Sequence, residues 1–480
     1  MNPSQLSHFI AAESRNSGGG LSHEHRDPSD QRQVLYHAPI GDASDVAAAV
    51  DAATSAFGSW RRTTGPARAD ILHRWGDAIA ARSEELAQAI AREVGKPIGE
   101  ARGEVARAVV ICRYYAGEAV REIGEVIPAQ APDTLQYTLR DPIGVVGLIT
   151  PWNSPIAIPL WKAAPAIAFG NTVVLKPSEN SSGIAALLAE TSVAAGLPAG
   201  VFNVVMGDGT TGAALVSNDG VRAVSFTGSG AVGARVQAMA AQRNIRCQTE
   251  MGGKNVVIVA ADGDLDRAAN LVAAGAFRYA GQKCTATSRV VVVSGVMDDF
   301  LGRLDRVMKQ LVPGPVTEAA SAVGPLITAR SRERIEQVLA ASSAAPQLRC
   351  PIPSGDEWDH GNWLAPQLYR LDDAGNRLAR EELFGPVLVA LDARDLDHAI
   401  EIANDTPYGL SASVFTRDLH TAFDYVRRIE VGLVRVNGDT TGVDPHAPFG
   451  GLKGSSSGSR EQGRAARDFY TETRTVQIHT

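Results

Sequence analysis

The sequence has few cysteines: the 480 residues contain four, Cys112, Cys247, Cys284 and Cys350, and they lie far apart. A disulfide-stabilised scaffold needs a higher density of cysteine, and a structural zinc site uses closely spaced pairs. We therefore expect neither, and no metal site is predicted. Unpaired cysteines are typical of a reducing compartment, so a cytoplasmic protein is expected.

An excess of positive charge is also missing, since the formal net charge is −7. This balance predicts neither a nucleic-acid partner nor binding to an anionic membrane surface. The most apolar stretch, residues 145–175, is long enough to cross a bilayer, but prolines, Asn153 and Lys162 interrupt it. We expect this stretch to be buried inside a globular protein instead.

The first 30 residues lack the basic and apolar pattern of a secretion signal, and they are polar and rich in Gly and Ser. We expect residues 1–30 to form a disordered lead. Hydrophobic residues make up 44% of the chain, which is enough to bury a core. Residues 44–124 have a helical pattern, including one predicted helix over residues 71–94 that Gly95 ends.

From residue 144 onward, short apolar runs alternate with amphipathic helical segments. This order is typical of parallel, doubly wound α/β sheets. The runs fall into two sets that meet near Gly252 and Gly253, and they lie at residues 145–150, 172–175, 201–205 and 223–226, then 256–259, 290–293, 387–391, 412–415 and 433–436. The sequence therefore predicts two α/β units.

Two further segments, residues 134–140 and 473–478, carry strand patterns that end in alternation of apolar and polar residues. Strands so distant in sequence can pair in one exposed sheet. An uncovered sheet edge recruits a partner strand, so we expect a subunit interface here.

A glycine-rich turn follows the run that ends at Phe226. Gly228, Gly230 and Gly233 form a G-x-G-x-x-G pattern before a helical segment, which lets backbone amides approach a pyrophosphate. A tight strand-to-helix turn explains the same glycines equally well. By the usual spacing, Glu250 would then bind the ribose.

Lys176 and Glu179 follow another predicted strand, at the position where open α/β sheets bind ligands. Both side chains can hydrogen-bond ribose hydroxyls, and the carboxylate favours NAD over NADP. A solvated pair of loop residues would account for them as well.

Three residues together suggest a nucleophile, a base and an oxyanion donor. Cys284 lies in a small, polar segment beside Lys283, which is expected to favour the nucleophilic thiolate. Glu250 precedes two glycines, and Asn153 ends an apolar strand, where its amide can donate to an oxyanion. Cys112 and Cys247 are expected to be inert core residues, and Cys350 a loop residue.

Taken together, these motifs resemble the NAD(P)-dependent aldehyde dehydrogenase superfamily from about residue 27 to the C-terminus. The shared motifs, in order, are Pro151-Trp152-Asn153, Lys176-Pro177-Ser178-Glu179, Phe226-Thr227-Gly228-Ser229, Glu250-Met251-Gly252-Gly253-Lys254, Gly281-Gln282-Lys283-Cys284, Glu381-Glu382-Leu383-Phe384-Gly385-Pro386 and Pro448-Phe449-Gly450-Gly451.

The resemblance implies a mechanism. Cys284 would attack the aldehyde, Asn153 and the Cys284 amide would hold the oxyanion, and Glu250 would activate the water that hydrolyses the thioester. The resemblance therefore implies that Glu179, and not Glu250, binds the ribose. Lys162 and Glu461 match positions that are linked to proton transfer.

The resemblance also implies an NAD site, with NADP possible. Glu382 would hold the nicotinamide ribose with Phe384 beside the ring, and Gly228 and Ser229 would lie at the pyrophosphate. The remaining implied cofactor residues are Thr150, Trp152, Lys176, Glu179 and Gly209, and the implied substrate residues are Ser154, Trp161, Lys283 and Thr285.

The implied architecture has an NAD-binding domain (31–123 and 143–252), a catalytic domain (253–464) and oligomerisation strands (124–142 and 465–480). A homodimer or homotetramer is implied.

Several segments look most like 2-oxoglutarate semialdehyde (2,5-dioxopentanoate) dehydrogenases. Ser154 departs from the aromatic residue of many relatives, so succinic semialdehyde, aromatic and phosphonate aldehydes stay open as substrates. Arg113, Lys283 and His446 are candidates to bind a substrate carboxylate. A CoA-acylating dehydrogenase and a catalytically silent dinucleotide-binding protein also stay open as functions.

Overall fold

The computed structural model describes residues 4–342 and 344–479. Its strands are β1 (Ser4–Gln5), β2 (His8–Ile10), β3 (Glu13–Arg15), β4 (Ser22–Asp27), β5 (Asp30–Pro39), β6 (Val126–Ile127), β7 (Thr134–Pro142), β8 (Val145–Ile149), β9 (Thr172–Lys176), β10 (Phe202–Val204), β11 (Val221–Thr227), β12 (Arg246–Glu250), β13 (Val256–Val259), β14 (Arg289–Val293), β15 (Leu348–Arg349), β16 (Gln367–Leu371), β17 (Val387–Ala393), β18 (Tyr408–Gly409), β19 (Ser411–Phe415), β20 (Leu433–Val436), β21 (Leu452–Lys453), β22 (Ser456–Ser457) and β23 (Thr471–His479).

Its helices are α1 (Ala43–Trp60), α2 (Gly65–Ala81), α3 (Ser83–Val94), α4 (Ile98–Glu118), α5 (Ala157–Ala168), α6 (Ser182–Ala194), α7 (Gly209–Ser217), α8 (Gly230–Gln242), α9 (Leu265–Phe277), α10 (Met297–Met308), α11 (Ala329–Ala341), α12 (Asp356–Asp359), α13 (Arg377–Arg380), α14 (Leu396–Asn404), α15 (Leu419–Arg428) and α16 (Ala465–Tyr470), with short 3₁₀ turns at Glu179–Ser181 and Arg278–Gly281.

The first large sheet has the strand order β22-β12-β11-β8-β9-β10-β2-β3, and the strands from β12 to β10 run parallel. β8 and β9 are buried along their whole length because helices cover both faces, which explains their continuous apolar sequence. Chain order reverses beside β8, since β9 pairs with one of its edges and β11 with the other. Ligands bind outside the carboxyl ends of strands at such a switch point.

The second large sheet has the order β15-β16-β17-β14-β13-β19-β20, with parallel pairing throughout except at β15. Its central strands β13 and β14 are fully buried, and α9 packs against α10 beside them. The loops that precede β14 and β17 carry Cys284 and Glu382. The expectation of doubly wound α/β sheets is confirmed.

The prediction of a disordered lead is wrong for residues 4–30, while residues 1–3 lie outside the described part of the chain. β2 pairs antiparallel with β10 and extends the first sheet. His8 and Ile10 are buried, and the His8 Nδ1 accepts a hydrogen bond from the Met206 amide at 3.1 Å. Polar composition concealed this segment because only four of its side chains, those of His8, Ile10, His25 and Pro28, are buried.

The helix predicted over residues 71–94 is two helices, although it does end at Gly95, which adopts a left-handed φ of 66°. The break lies at Arg82, where φ is −110° and ψ is 21°. Its guanidinium binds Glu85 and Glu190, so it joins the start of α3 to α6.

A third, smaller sheet has the order β23-β7-β6. β7 and β23 pair antiparallel over nine residues each, from Thr471 opposite Pro142 to His479 opposite Thr134. The pairing of these distant segments therefore follows the expectation from their alternating sequences. Thr480, at the end of the predicted oligomerisation strand, lies outside the described residues. No helix of the described chain is long and apolar enough to cross a membrane.

Candidate active site

The loop that carries Cys284 is held in an unusual backbone conformation. Tyr279, Ala280 and Gly281 have φ values of 55°, 51° and 67°, in the left-handed region that non-glycine residues rarely adopt. The Gln282 side chain accepts from the Ile327 amide at 2.9 Å and donates to the Pro325 carbonyl at 3.0 Å. These bonds fix the residues immediately before the thiol.

Cys284 is surrounded by acidic rather than basic groups. Burial, together with the negative charges of Glu382 and Glu250, raises the pKa of the Cys284 thiol to about 12. Lys283 does not lower this pKa, because its ammonium binds Glu100 at 2.6 Å. The expectation that Lys283 favours the thiolate is therefore wrong, and the free thiol is protonated at neutral pH.

Asn153 is buried beside this loop. Its side-chain Nδ2 donates to the Gln282 backbone carbonyl at 3.1 Å. The backbone carbonyl of Asn153 accepts a hydrogen bond from Lys96 Nζ at 2.7 Å. The single bond from Nδ2 leaves its second N–H available. Asn153 and Cys284 line the same cavity of about 320 Å³.

The cavity lies between α4, the start of α5, the Cys284 loop and residues 441–443. Ser154, Trp161, Lys283 and Thr285, which the resemblance implies as substrate residues, are among its lining residues. The Trp161 ring packs against Phe449, with ring centroids 5.6 Å apart. The walls therefore combine aromatic surface with ionic side chains.

Glu250 ends β12 and does not line the cavity. Its Oε2 accepts a hydrogen bond from Ser456, and its Oε1 is buried without a partner among the described residues. Burial raises the pKa of Glu250 well above its usual range, and the negative charge of Glu461 adds to the effect. A Cβ at Gly450 would lie 2.7 Å from Oε1, so glycine leaves room for this carboxyl group.

Lys162 and Glu461 form a buried ion pair behind Glu250. Lys162 Nζ also donates to Ser225 Oγ at 2.8 Å, and this hydroxyl lies 3.1 Å from Gln248 Oε1 and from Glu461 Oε1. These polar groups form a connected network inside the first sheet.

The carboxyl ends of the parallel strands form the second half of the site. Thr150 follows β8 and Thr227 ends β11, so both lie at the switch point, and both hydroxyls are buried without a partner in the described chain. Ser229 precedes α8 and makes no side-chain cap, which leaves the first helical N–H groups to another acceptor. A pyrophosphate is the ligand such donors suit.

Lys176 and Glu179 lie one strand further along this edge. Lys176 Nζ is buried and donates to the Asp208 carbonyl at 3.2 Å, and burial lowers the pKa of this ammonium. Asp208 caps α7, whose first residue is Gly209. The Glu179 carbonyl accepts from the Tyr36 hydroxyl at 3.3 Å, which anchors the turn that carries its carboxylate.

Glu382 reaches the same edge from the second α/β unit. Its Oε1 accepts from the Gly253 amide at 3.0 Å, and a Cβ at Gly252 would overlap the carboxylate, so only glycine fits there. Burial raises the pKa of Glu382 to about 7. Phe384 has a φ of 54°, and its ring meets Trp152 edge to face at 5.7 Å. The residues of this edge fit a dinucleotide.

Comparison with known proteins decides the family. The sequence model of the aldehyde dehydrogenase family matches residues 16–476 of this chain. The chain belongs to this family. As an aldehyde dehydrogenase, it is an NAD(P)-dependent oxidoreductase that acts on aldehydes, and the resemblance seen in the sequence is confirmed.

Aldehyde dehydrogenases of known name align over nearly the whole chain. The alpha-ketoglutaric semialdehyde dehydrogenase of Bacillus subtilis is 42% identical over 98% of this chain and 97% of its own length. The 2,5-dioxopentanoate dehydrogenase of Saccharolobus solfataricus is 37% identical over 96% of each chain. Betaine aldehyde dehydrogenase of Staphylococcus aureus, solved with NAD+, has a TM-score of 0.95, 30% identity and coverage of 99% of this chain and 95% of its own. NAD is the cofactor that these relationships support.

Of the three residues suggested for a substrate carboxylate, two lie elsewhere in this aldehyde dehydrogenase. Arg113 is exposed and pairs with Asp77 at 3.1 Å, and His446 packs near Tyr114 with ring centroids 6.4 Å apart. Neither lines the cavity. Four charged residues of the cavity wall were missed, namely Lys96, Glu100, Glu104 and Arg107.

A regular spacing of residues along α4 could have indicated this wall of the cavity. Gly99, Gly103 and Arg107 recur every fourth residue, which places them on one face of α4. A helix that presents glycines and a charged residue on one face leaves room beside that face.

The cysteines outside the site differ in their burial. Cys112 is fully buried, as expected of an inert core residue, and Cys247 is half-buried. Cys350 lies in the loop after β15, as expected, but it is buried, and its Sγ donates to the Met308 carbonyl at 3.1 Å.

Proposed function

We propose that this aldehyde dehydrogenase oxidises a small anionic aldehyde, 2,5-dioxopentanoate, to the corresponding dicarboxylate with NAD. The observation that carries the chemistry is that Cys284 and the Asn153 amide line one cavity. The choice of substrate rests on the names of the two relatives described above and on the cationic side chains in the cavity wall.

Cys284 is the nucleophile of the proposed reaction. The thiol loses its proton to solvent water, its sulfur bonds to the carbonyl carbon, and the aldehyde oxygen becomes an oxyanion. The free N–H of Asn153 Nδ2 and the Cys284 backbone N–H stabilise this charge. NAD, when held at the strand ends, would supply the hydride acceptor, and loss of hydride from the substrate carbon would leave a thioester on Cys284.

Glu250 is the base that activates water against this thioester. The water loses a proton to the carboxylate, its oxygen bonds to the acyl carbon, and the C–S bond breaks to release the acid. Because Glu250 is bound to Ser456 and lies outside the cavity wall, its side chain must rotate toward Cys284 to act. Lys162 and Glu461 then carry the proton onward.

The residues at the strand ends would hold NAD. Thr150, Thr227 and the amides that follow Ser229 suit the pyrophosphate, since these donors lack partners in the described chain. Lys176 and Glu179 suit the adenosine ribose, with Gly209 beside the adenine, and Glu382 suits the nicotinamide ribose. The Glu179 carboxylate disfavours a 2′-phosphate, so NAD is preferred over NADP.

The experiment is NAD and NADP reduction by the purified chain with 2,5-dioxopentanoate, succinic semialdehyde, benzaldehyde and phosphonoacetaldehyde. We expect kcat/KM to be highest for 2,5-dioxopentanoate by about tenfold or more, which is about 1.4 kcal/mol of transition-state binding. A higher value for another aldehyde would reject the substrate. CoA-dependent turnover would reject hydrolysis.

Two variants test the roles in the same assay. Cys284→Ala is expected to abolish turnover, and Glu250→Gln to give a full burst of NADH followed by slow turnover, because acylation proceeds while hydrolysis stalls. Full activity of Cys284→Ala would reject the nucleophile. Unchanged steady-state turnover of Glu250→Gln would reject the base.

The third sheet is proposed as the subunit interface of a homodimer or homotetramer. β23 lies at its edge, and one side of this nine-residue strand pairs with no other strand of the described chain. We also propose the division into an NAD-binding domain, a catalytic domain and oligomerisation strands. The residues suited to NAD lie mainly on the first sheet, whereas Cys284 lies on the loop before β14 of the second. A cytoplasmic location is proposed because the four cysteines are free thiols.

A further inference from the structure

The charged side chains of the substrate cavity are unequally partnered. Lys96 forms an ion pair with Glu104, and Lys283 forms one with Glu100 at 2.6 Å. Arg107 lines the same cavity, yet it makes no hydrogen bond or ion pair within the described chain. The two carboxylates of the wall are therefore neutralised, and Arg107 leaves the cavity with one uncompensated positive charge.

The position of Arg107 on α4 sets its distance from the reacting groups. Lys96 Nζ, just before α4, contacts the Asn153 carbonyl, and Glu100 in the first turn binds Lys283, the neighbour of Cys284. Arg107 lies seven residues after Glu100, which is about 10 Å along the helix axis at about 1.5 Å per residue. It therefore lies about two helical turns beyond the residue that binds Lys283.

The helix face between these two levels leaves space for a substrate chain. Gly99 and Gly103 both line the cavity, and a Cβ added at either would meet no atom within 4 Å. The two glycines thus form a shallow groove that runs along α4 from the Lys283 level towards Arg107. A substrate that extends along this groove from Cys284 would bring its other terminus towards the guanidinium.

A guanidinium is suited to bind the far end of a carboxylate-bearing aldehyde. Its planar N–H groups match the two oxygens of a carboxylate, and the pair forms two parallel hydrogen bonds. The other cations of the cavity already hold internal partners, so a substrate carboxylate would have to displace Glu100 or Glu104 to reach them. At Arg107 no protein acid competes.

We propose that Arg107 binds the distal carboxylate of the substrate and so sets the preference for anionic over neutral aldehydes. This inference rests on the proposed oxidation of an aldehyde at Cys284, and it names the residue that selects among aldehydes.

The test compares anionic substrates with neutral ones of matched length in the Arg107→Leu variant. Succinic semialdehyde is paired with butanal, and 2,5-dioxopentanoate with pentanal. We expect kcat/KM for both anionic substrates to fall by about tenfold to a hundredfold, chiefly through KM, because the lost ion pair contributes mainly to binding. The kcat/KM values for the neutral substrates should change by less than about twofold.

Two variants serve as controls. Arg107→Lys keeps the charge without the planar fork and should retain an intermediate preference for the anionic substrates. Arg113→Leu removes a guanidinium from the same helix, but one that is exposed and paired with Asp77, and it should behave as wild type. An equal loss for anionic and neutral substrates in Arg107→Leu, or no loss for either, would overturn the proposal.

A measurement without turnover separates this proposal from the proposed function. Glutarate should slow the alkylation of Cys284 by iodoacetamide in the wild type and have less effect in Arg107→Leu, whereas pentanol should not distinguish the two proteins. Equal protection by glutarate in both proteins would reject Arg107 as the anchor. Failure of the wild type to oxidise any aldehyde would instead reject the proposed function.

Discussion

At the scale of single residues, the state of the Cys284 thiol is set by its surroundings and not by its neighbour in sequence. Lys283 stands next to it in the chain, but its ammonium is bound to Glu100. The charges that act on Cys284 are the carboxylates of Glu382 and Glu250, and both disfavour a thiolate. The free protein therefore holds Cys284 as a thiol.

This leads to a prediction about pH. The thiolate fraction grows about tenfold per pH unit below the pKa, so alkylation of Cys284 in the cofactor-free enzyme should accelerate continuously up to about pH 10. With a pKa of about 12 the rate should show no plateau, whereas the ordinary value of 9.0 would produce one. Iodoacetamide labelling, followed peptide by peptide with mass spectrometry, measures the rate.

Cys284→Ser is the control that identifies the signal of this peptide. A rate that is half-maximal near pH 9 and levels off towards pH 10 would contradict a raised pKa for the thiol.

At the scale of elements, the N-terminal strands show how a polar segment joins a core. β2 covers the edge of β10 with one backbone pair, Val204 opposite Phe9, and the Asn203 side chain accepts from the Ala11 amide at 3.0 Å. The average composition of residues 1–30 does not reveal this strand, because a strand of three residues buries few side chains. The strand is held in place mainly by backbone pairing with the edge of the first sheet.

The burial of β2 predicts a difference between two substitutions in the first 30 residues. Ile10→Ala should lower the free energy of unfolding by about 2–4 kcal/mol, because Ile10 is buried against the first sheet. Leu21→Ala, at a side chain 66% exposed, should change it by less than about 0.5 kcal/mol. Urea unfolding followed by fluorescence compares the two variants, and equal midpoints would mean that this segment does not join the core.

At the scale of the whole molecule, two α/β units meet where their loops face each other. The carboxyl ends of β8, β9, β11 and β12 carry the residues suited to NAD, and the loops before β14 and β17 carry Cys284 and Glu382. Each unit therefore contributes only part of the candidate site. The contact of Glu382 with Gly253 joins the two halves at the segment that connects the sheets.

The third sheet makes a prediction about assembly. Leu135 of β7 lies opposite Ile478 of β23, and both side chains are about half exposed, which leaves an apolar cross-strand pair uncovered in the isolated chain. Leu135→Lys should lower the mass measured by light scattering below the wild-type value, because a charge in the proposed interface disfavours association.

Leu419→Lys replaces another exposed leucine, on α15, and should keep the wild-type mass. A monomeric wild-type chain, or a Leu135→Lys variant of unchanged mass, would contradict this interface.

The sequence by itself determined the fold class, the family and the chemically active residue types, because these depend on local features. Period-two and helical patterns, the glycine-rich turn after Phe226 and the motifs around Asn153, Glu250 and Cys284 are all short-range signals. The tertiary structure alone decided the partners of charged groups. Lys283 is bound to Glu100, Glu250 is turned towards Ser456, and Arg107 is left without a partner in the described chain. Ion pairs and burial depend on which distant segments fold together, and no pattern within a single segment contains that information.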